Sequence, residues 1–119
     1  MSDNKTPKAW YEIAKLSDLS DVNPGDIISL DLEEDNGVKR SIALIRYSDG
    51  LWYAIHNACT HDNGPLDDGS VDIDSCAVEC ARHGAQFALK TGEALRMPAI
   101  DAIQTYPLKI EAEIIYIQI

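Results

Sequence analysis

The 119-residue chain has no long apolar run; its hydrophobic stretches are cut by Asp, Ser or Gly every few residues. None approaches the roughly 20 apolar residues needed to cross a bilayer. A water-soluble protein without a membrane partner is expected. Positive charge is also scarce, since 10 Lys and Arg stand against 20 Asp and Glu for a net charge of -10. Nucleic-acid binding draws on clustered Lys and Arg, so that class of partner is excluded. Only three cysteines occur, which cannot all pair within one molecule. The first eight residues, Met1 to Lys8, lack the charged-then-apolar pattern of a secretory signal. They are expected to form a flexible polar leader on a cytoplasmic protein. Thiols stay reduced there, so metal binding outranks a disulfide framework.

What the chain does contain is period-two alternation, and the expected fold class is all-β. In Ile27-Ile28-Ser29-Leu30-Asp31-Leu32, residues 28, 30 and 32 form an apolar face while 29 and 31 stay polar, as in a half-buried strand. Asn36-Gly37 predicts a two-residue hairpin loop, with Val38 to Tyr47 returning antiparallel. Asp49-Gly50 repeats the device before a strand over 51–55. Short strands are expected at 71–73, 77–79, 87–89 and 93–95, the last two joined by Thr91-Gly92. Longer strands are expected at 103–110, with Pro107 marking an edge or bulge, and at 114–119, with Ile115, Ile117 and Ile119 on one face. The only helix expected is a short turn near Leu16 to Asp21.

Four metal-ligating side chains fall in two tight arms, Cys59-x-His61 and Cys80-x-x-His83, with the 18 residues 62–79 between them. Each arm offers one thiolate and one imidazole. That is the inventory of a [2Fe-2S] cluster in which two histidines replace two cysteines on one iron. The i, i+2 spacing of Cys59 and His61 sends both side chains to one side of an extended segment, which suits two neighbouring irons. Structural zinc is the competing reading of a Cys2His2 set. Its arms usually have two to four residues between ligands, whereas Cys59 and His61 have one, and converging both on a single ion strains the loop.

Together with Gly64-Pro65-Leu66, Gly84, Phe87 and Thr91-Gly92, these arms resemble the Rieske family. The similarity is strongest to the small ferredoxin components of bacterial ring-hydroxylating dioxygenase systems, and it runs from about Trp10 to the C-terminus. It implies one domain of stacked antiparallel sheets, with a small inserted subdomain over about 56–99 that holds one [2Fe-2S] cluster. Cys59 and Cys80 would ligate one iron, and His61 and His83 the other at an exposed tip. The implied role is that of a one-electron carrier rather than an enzyme, taking electrons from a flavoprotein reductase and docking that tip on a terminal non-haem iron oxygenase. The docking rim would comprise residues 62–66, Arg82, Gly84 and Met97-Pro98. A stand-alone role in redox sensing or iron-sulfur assembly is the alternative. An accessory subunit of a nitrite-reductase-like enzyme is a third, though such relatives often lack the ligands.

Departures from the wider family carry information. Respiratory Rieske proteins have a disulfide between the arms, and the matching positions here are Gly64 and Arg82. They also place Ser and Tyr hydroxyls near the cluster, where this chain has Ala85 and Phe87. Losing those donors implies a low potential, towards about -150 mV. Gly84 permits close backbone approach to a cluster or serves an ordinary turn. Cys76, unused by the motif, is expected as a buried small hydrophobe in a strand-like stretch. His56 is expected as a structural residue at a strand end.

Overall fold

The computed structural model describes residues 9–48, 50–58, 64–81, 84–97 and 101–119. Eleven strands in this region form three antiparallel sheets. The central one is built from β2 (Ile27–Glu33), β3 (Lys39–Ser48), β4 (Leu51–His56) and β9 (Thr105–Tyr106), paired in the order β2-β3-β4-β9. A second contains β1 (Trp10–Lys15), β11 (Ile114–Gln118) and β10 (Leu108–Glu111), in the order β1-β11-β10. The third is a meander of three-residue strands: β5 (Ser70–Asp72), β6 (Ala77–Glu79), β7 (Gln86–Ala88) and β8 (Ala94–Arg96). Leu16–Leu19 forms a single 3-10 turn, and among the described residues no helix is long and apolar enough to cross a membrane.

The run Ile42-Ala43-Leu44-Ile45 explains the layering. All four side chains are fully buried, because successive residues of a strand point to opposite faces and both faces of the central sheet are covered. Ile42 and Leu44 join Trp52, Ala54, Ile115 and Ile117 in a core beneath the β1-β11-β10 sheet. Ala43 and Ile45 join Ile55, Leu66, Val78, Phe87 and Leu89 in a second core beneath the β5–β8 meander. Each large aliphatic side chain buried this way stabilises the fold by about 1.5–3 kcal/mol relative to exposure. The central sheet is thus shared by two cores.

Several connections differ from the sequence expectation. The β2–β3 hairpin turns at 35–37 with three loop residues, not two. Gly37 N–H donates to the Glu34 carbonyl at 2.9 Å, Glu34 N–H to the Val38 carbonyl at 2.8 Å, and Gly37 takes φ +88°. Asn36 has no positive φ, so the pattern is a type I turn followed by a left-handed bulge residue. The expected strand over 103–110 is two strands in two sheets: Pro107 has no N–H to continue the ladder beside β4, and the chain crosses there from the central sheet to the second one. β1, not expected, is a half-exposed strand with an irregularity between Glu12 and Ala14. Finally, Ala112 and Glu113 form a two-residue hairpin turn with φ of +51° and +64° at neither of which a glycine stands.

Candidate metal centre

Of the four expected ligands, Cys59, His61 and His83 lie outside the described residues, as do Asp62, Asn63, Arg82 and Pro98 of the expected rim. Cys80 is described, and so are the anchors of both arms. Alternation along β6 sends Val78 and Cys80 into the core and Glu79 outward, leaving Cys80 1% exposed and outside any disulfide. The loop that follows is closed at its base, where Cys80 N–H donates to the Ala85 carbonyl at 2.8 Å and Gly84 N–H to the Cys80 carbonyl at 3.1 Å. Gly84 takes φ +78°, so turn geometry by itself explains the glycine. Ala85 and Phe87, the two positions without hydroxyls, are fully buried beside this loop.

The first arm is fixed by a residue that sequence reading missed. β4 delivers the chain to Asn57, a side chain only 7% exposed. Its Oδ1 accepts from the N–H groups of Leu66 at 2.8 Å and Asp67 at 3.1 Å, tying the end of the arm to its beginning. Its Nδ2 shares its two N–H groups among Ser29 Oγ at 3.2 Å, Ser41 Oγ at 3.3 Å and Asp67 Oδ1 at 3.2 Å. A buried amide with all these partners is a staple, since each group would be costly to leave unmade. The available signal was Asn two positions before Cys59; its partners were too distant in sequence to be foreseen.

Leu66, expected on the exposed rim, is instead fully buried in the core beneath the meander. Its apolar side chain fills space between the central sheet and the meander, so the exposed part of this arm's end is Pro65. Gly64 and Gly84 are half-buried, and Met97 is 71% exposed. The segment after the first arm runs beside the strand leading to Cys80, with Ser70 paired opposite Glu79, and it approaches most closely at Gly69, where a Cβ would stand 2.1 Å from the Glu79 carbonyl oxygen. Only glycine permits that approach. A buried thiol at the base of one closed loop, with a second loop fastened alongside and apolar side chains around it, fits a group held between two loops by soft and borderline ligands.

Behind this site lies an aromatic cluster. Tyr47 and Tyr53 pack edge to face at 5.8 Å, Tyr47 Oη donates to the Ile73 carbonyl at 2.5 Å, and Cys76 Sγ lies 3.8 Å from Tyr53 Oη. Burial, then the hydrogen bond and charge of Cys76, push the Tyr53 hydroxyl up to about 12. Cys76 itself is half-buried in a turn at φ +53°, rather than in a strand as expected. The preceding turn Ile73–Cys76 is short enough to need a left-handed residue before β6. His56 ends β4 as expected, its N–H donating to the Gln104 carbonyl at 2.9 Å.

Comparison with known proteins gives a consistent picture. The Rieske [2Fe-2S] domain profile matches residues 9–107. The chain is 37% identical over 101 residues to a 3-phenylpropionate/cinnamic acid dioxygenase ferredoxin subunit of Shigella boydii serotype 4 (strain Sb227), covering 85% of this chain and 88% of that one. Among solved structures, a Sphingomonas yanoikuyae B1 ferredoxin superposes with a TM-score of 0.77 at 28% identity, covering 93% of this chain and 99% of that one. A complex of reduced oxygenase and oxidised ferredoxin in carbazole 1,9a-dioxygenase matches with a TM-score of 0.72 at 25% identity, covering 91% of each chain.

Proposed function

Because the chain belongs to the Rieske [2Fe-2S] domain family, we propose that Cys59, His61, Cys80 and His83 hold its one [2Fe-2S] cluster and that it serves as the ferredoxin of a ring-hydroxylating dioxygenase system. It is an electron-transfer component rather than an enzyme. When bound, such a cluster accepts and gives up one electron at a time, with a potential set by its surroundings. The protein's own residues supply those surroundings. Asn57 and the β5–β6 pairing beside Gly69 hold the two arms in register. Ala85 and Phe87 exclude water from the second arm while offering no hydroxyl donor, which supports a potential at the low end of the Rieske range.

The observation that carries this reading is the 37% identity to a dioxygenase ferredoxin subunit over 85% of the chain. It favours the carrier over a stand-alone sensor or assembly protein. The donor is a nicotinamide-linked flavoprotein reductase and the acceptor a terminal non-haem iron oxygenase, both docking transiently at the His61/His83 tip. The net charge of -10 steers association towards basic partner surfaces. The whole chain is one domain, in which residues of about 56–99 form the cluster-binding unit.

Visible absorption and low-temperature EPR on the purified protein test the assignment. A mixed His/Cys diiron spectrum is expected in the parent and in Cys76→Ser, and its loss in Cys80→Ser. Rapid reduction by a nicotinamide-dependent flavoprotein and onward transfer to an oxygenase complete the case. A colourless protein carrying zinc and no iron would overturn it.

A further inference from the structure

A polar row crosses the outer face of the meander beside the second arm. Glu79 on β6 stands opposite Gln86 on β7, and Gln86 opposite Arg96 on β8. Gln86, 8% exposed, donates from Nε2 to Glu79 Oε1 at 2.9 Å, and Arg96 Nη1 lies 3.5 Å from the same oxygen. One carboxylate oxygen is therefore held by two strands. The other is turned towards the loop: Oε2 lies 3.9 Å from where a Cβ on Gly84 would stand, next to the position of His83 in sequence. Cys80 follows Glu79 directly but points the opposite way, into the core. A negative side chain and a positive one thus flank the ligand loop from outside without entering the core.

Resting on the electron-carrier reading above, the geometry points to Glu79 and Arg96 as an opposed charge pair that sets the reduction potential, with Gln86 as the positioning residue that aims the carboxylate at the loop. An added electron is disfavoured by the negative member and favoured by the positive one. Glu79 is the nearer to the loop and the less exposed, at 36% against 57% for Arg96, so its effect is less screened and the pair's net action lowers the potential. The lowering assigned to the missing hydroxyls at Ala85 and Phe87 then has a second, electrostatic source.

Redox titration of the cluster-loaded protein, followed by EPR at one pH and ionic strength, separates this from a purely structural role. Glu79→Gln keeps an amide able to bond Gln86, and is expected to shift the oxidised-to-reduced ratio about threefold towards the reduced form at fixed ambient potential, which is roughly 28 mV upward at 59 mV per tenfold. Arg96→Gln is expected to shift it the opposite way by a smaller factor, with the double variant in between and both shifts shrinking in high salt. Shifts of the same sign, or none, in variants that keep the parent EPR spectrum would overturn the charge pair while leaving the carrier reading intact. A parent protein without that spectrum would overturn both.

Discussion

Removing the Asn57 side chain tests whether one buried amide holds the first ligand arm. In Asn57→Ala the Leu66 N–H, bonded at 2.8 Å inside the core, loses its acceptor. A buried donor left unmade costs about 1–3 kcal/mol. The Asp67 N–H is part-buried and can rehydrate, so it adds less, and the three Nδ2 contacts at 3.2–3.3 Å add a further fraction. A loss of about 2–4 kcal/mol is expected, a large share of the 5–15 kcal/mol typical of a domain. At this chain length that corresponds to a fall in Tm of about 8–16 °C. Thermal denaturation followed by circular dichroism reads the fall, and visible absorbance should bleach faster as the arm opens. Asn57→Asp provides a sharper companion: it keeps an acceptor but sets a carboxylate where Nδ2 lies 3.2 Å from Asp67 Oδ1. Repulsion raises the introduced group's pKa, so its deficit should be greatest at neutral pH and shrink on acidification. If Asn57→Ala melts within about 0.5 kcal/mol of the parent, a size typical of surface changes, the staple argument is wrong.

Three further outcomes follow from other parts of the fold. Gly69→Ala places a methyl 2.1 Å from the Glu79 carbonyl and should cost about 3 kcal/mol in chemical denaturation, whereas Gly50→Ala, with nothing within 4 Å, should cost far less; equal costs would refute the close-approach argument. Tyr53, pushed up to about 12, should ionise well above an ordinary tyrosine, so the stability it carries is complete below pH about 10 and lost as pH rises through its folded value. Ultraviolet titration should show that late step vanish in Tyr53→Phe; all tyrosines of the parent ionising together would refute it. Ala85→Ser restores a hydroxyl in a fully buried position, and about 1 kcal/mol of preference for the reduced form should raise the potential by about 40 mV; an unchanged potential with an intact spectrum would remove this explanation of low potential.

Legibility in the sequence followed the reach of each interaction. β2 and β11 were readable because alternation is local, with Ile115 and Ile117 buried as their spacing implied, and β3 and β4 because Asn36-Gly37 and Asp49-Gly50 mark the turns that precede them. β1 escaped because its strand is half-exposed and interrupted near Ala14. Pro107 announced a break, yet nothing nearby could say that the chain changes sheets there. The Ala112-Glu113 turn carries none of the Asn or Gly that normally marks positive φ, so tertiary pairing of β10 with β11 overrides local preference. Near the expected site, residue type and spacing name Cys80, and the structure buries it at the base of a closed loop. Asn57 could not be named that way, because Ser29, Ser41 and Leu66 reach it only in the folded chain. Leu66 was misplaced for the same reason: its neighbours in sequence are loop residues, but its neighbours in space are Val78 and Phe87.

The β1–β11 pairing has a practical consequence. Ala9 and Ile119 exchange backbone hydrogen bonds of 3.1 and 3.0 Å, in the sheet that covers the opposite face of the central layer from the meander. A few added residues would bridge those two positions, and new ends could be opened at the β2–β3 tip, where Asp35 to Gly37 are exposed and outside either core. Such a circular permutant should fold with both cores intact, and in the parent chain a reporter attached through either Ala9 or Ile119 would hang on the far side of the central sheet from the meander.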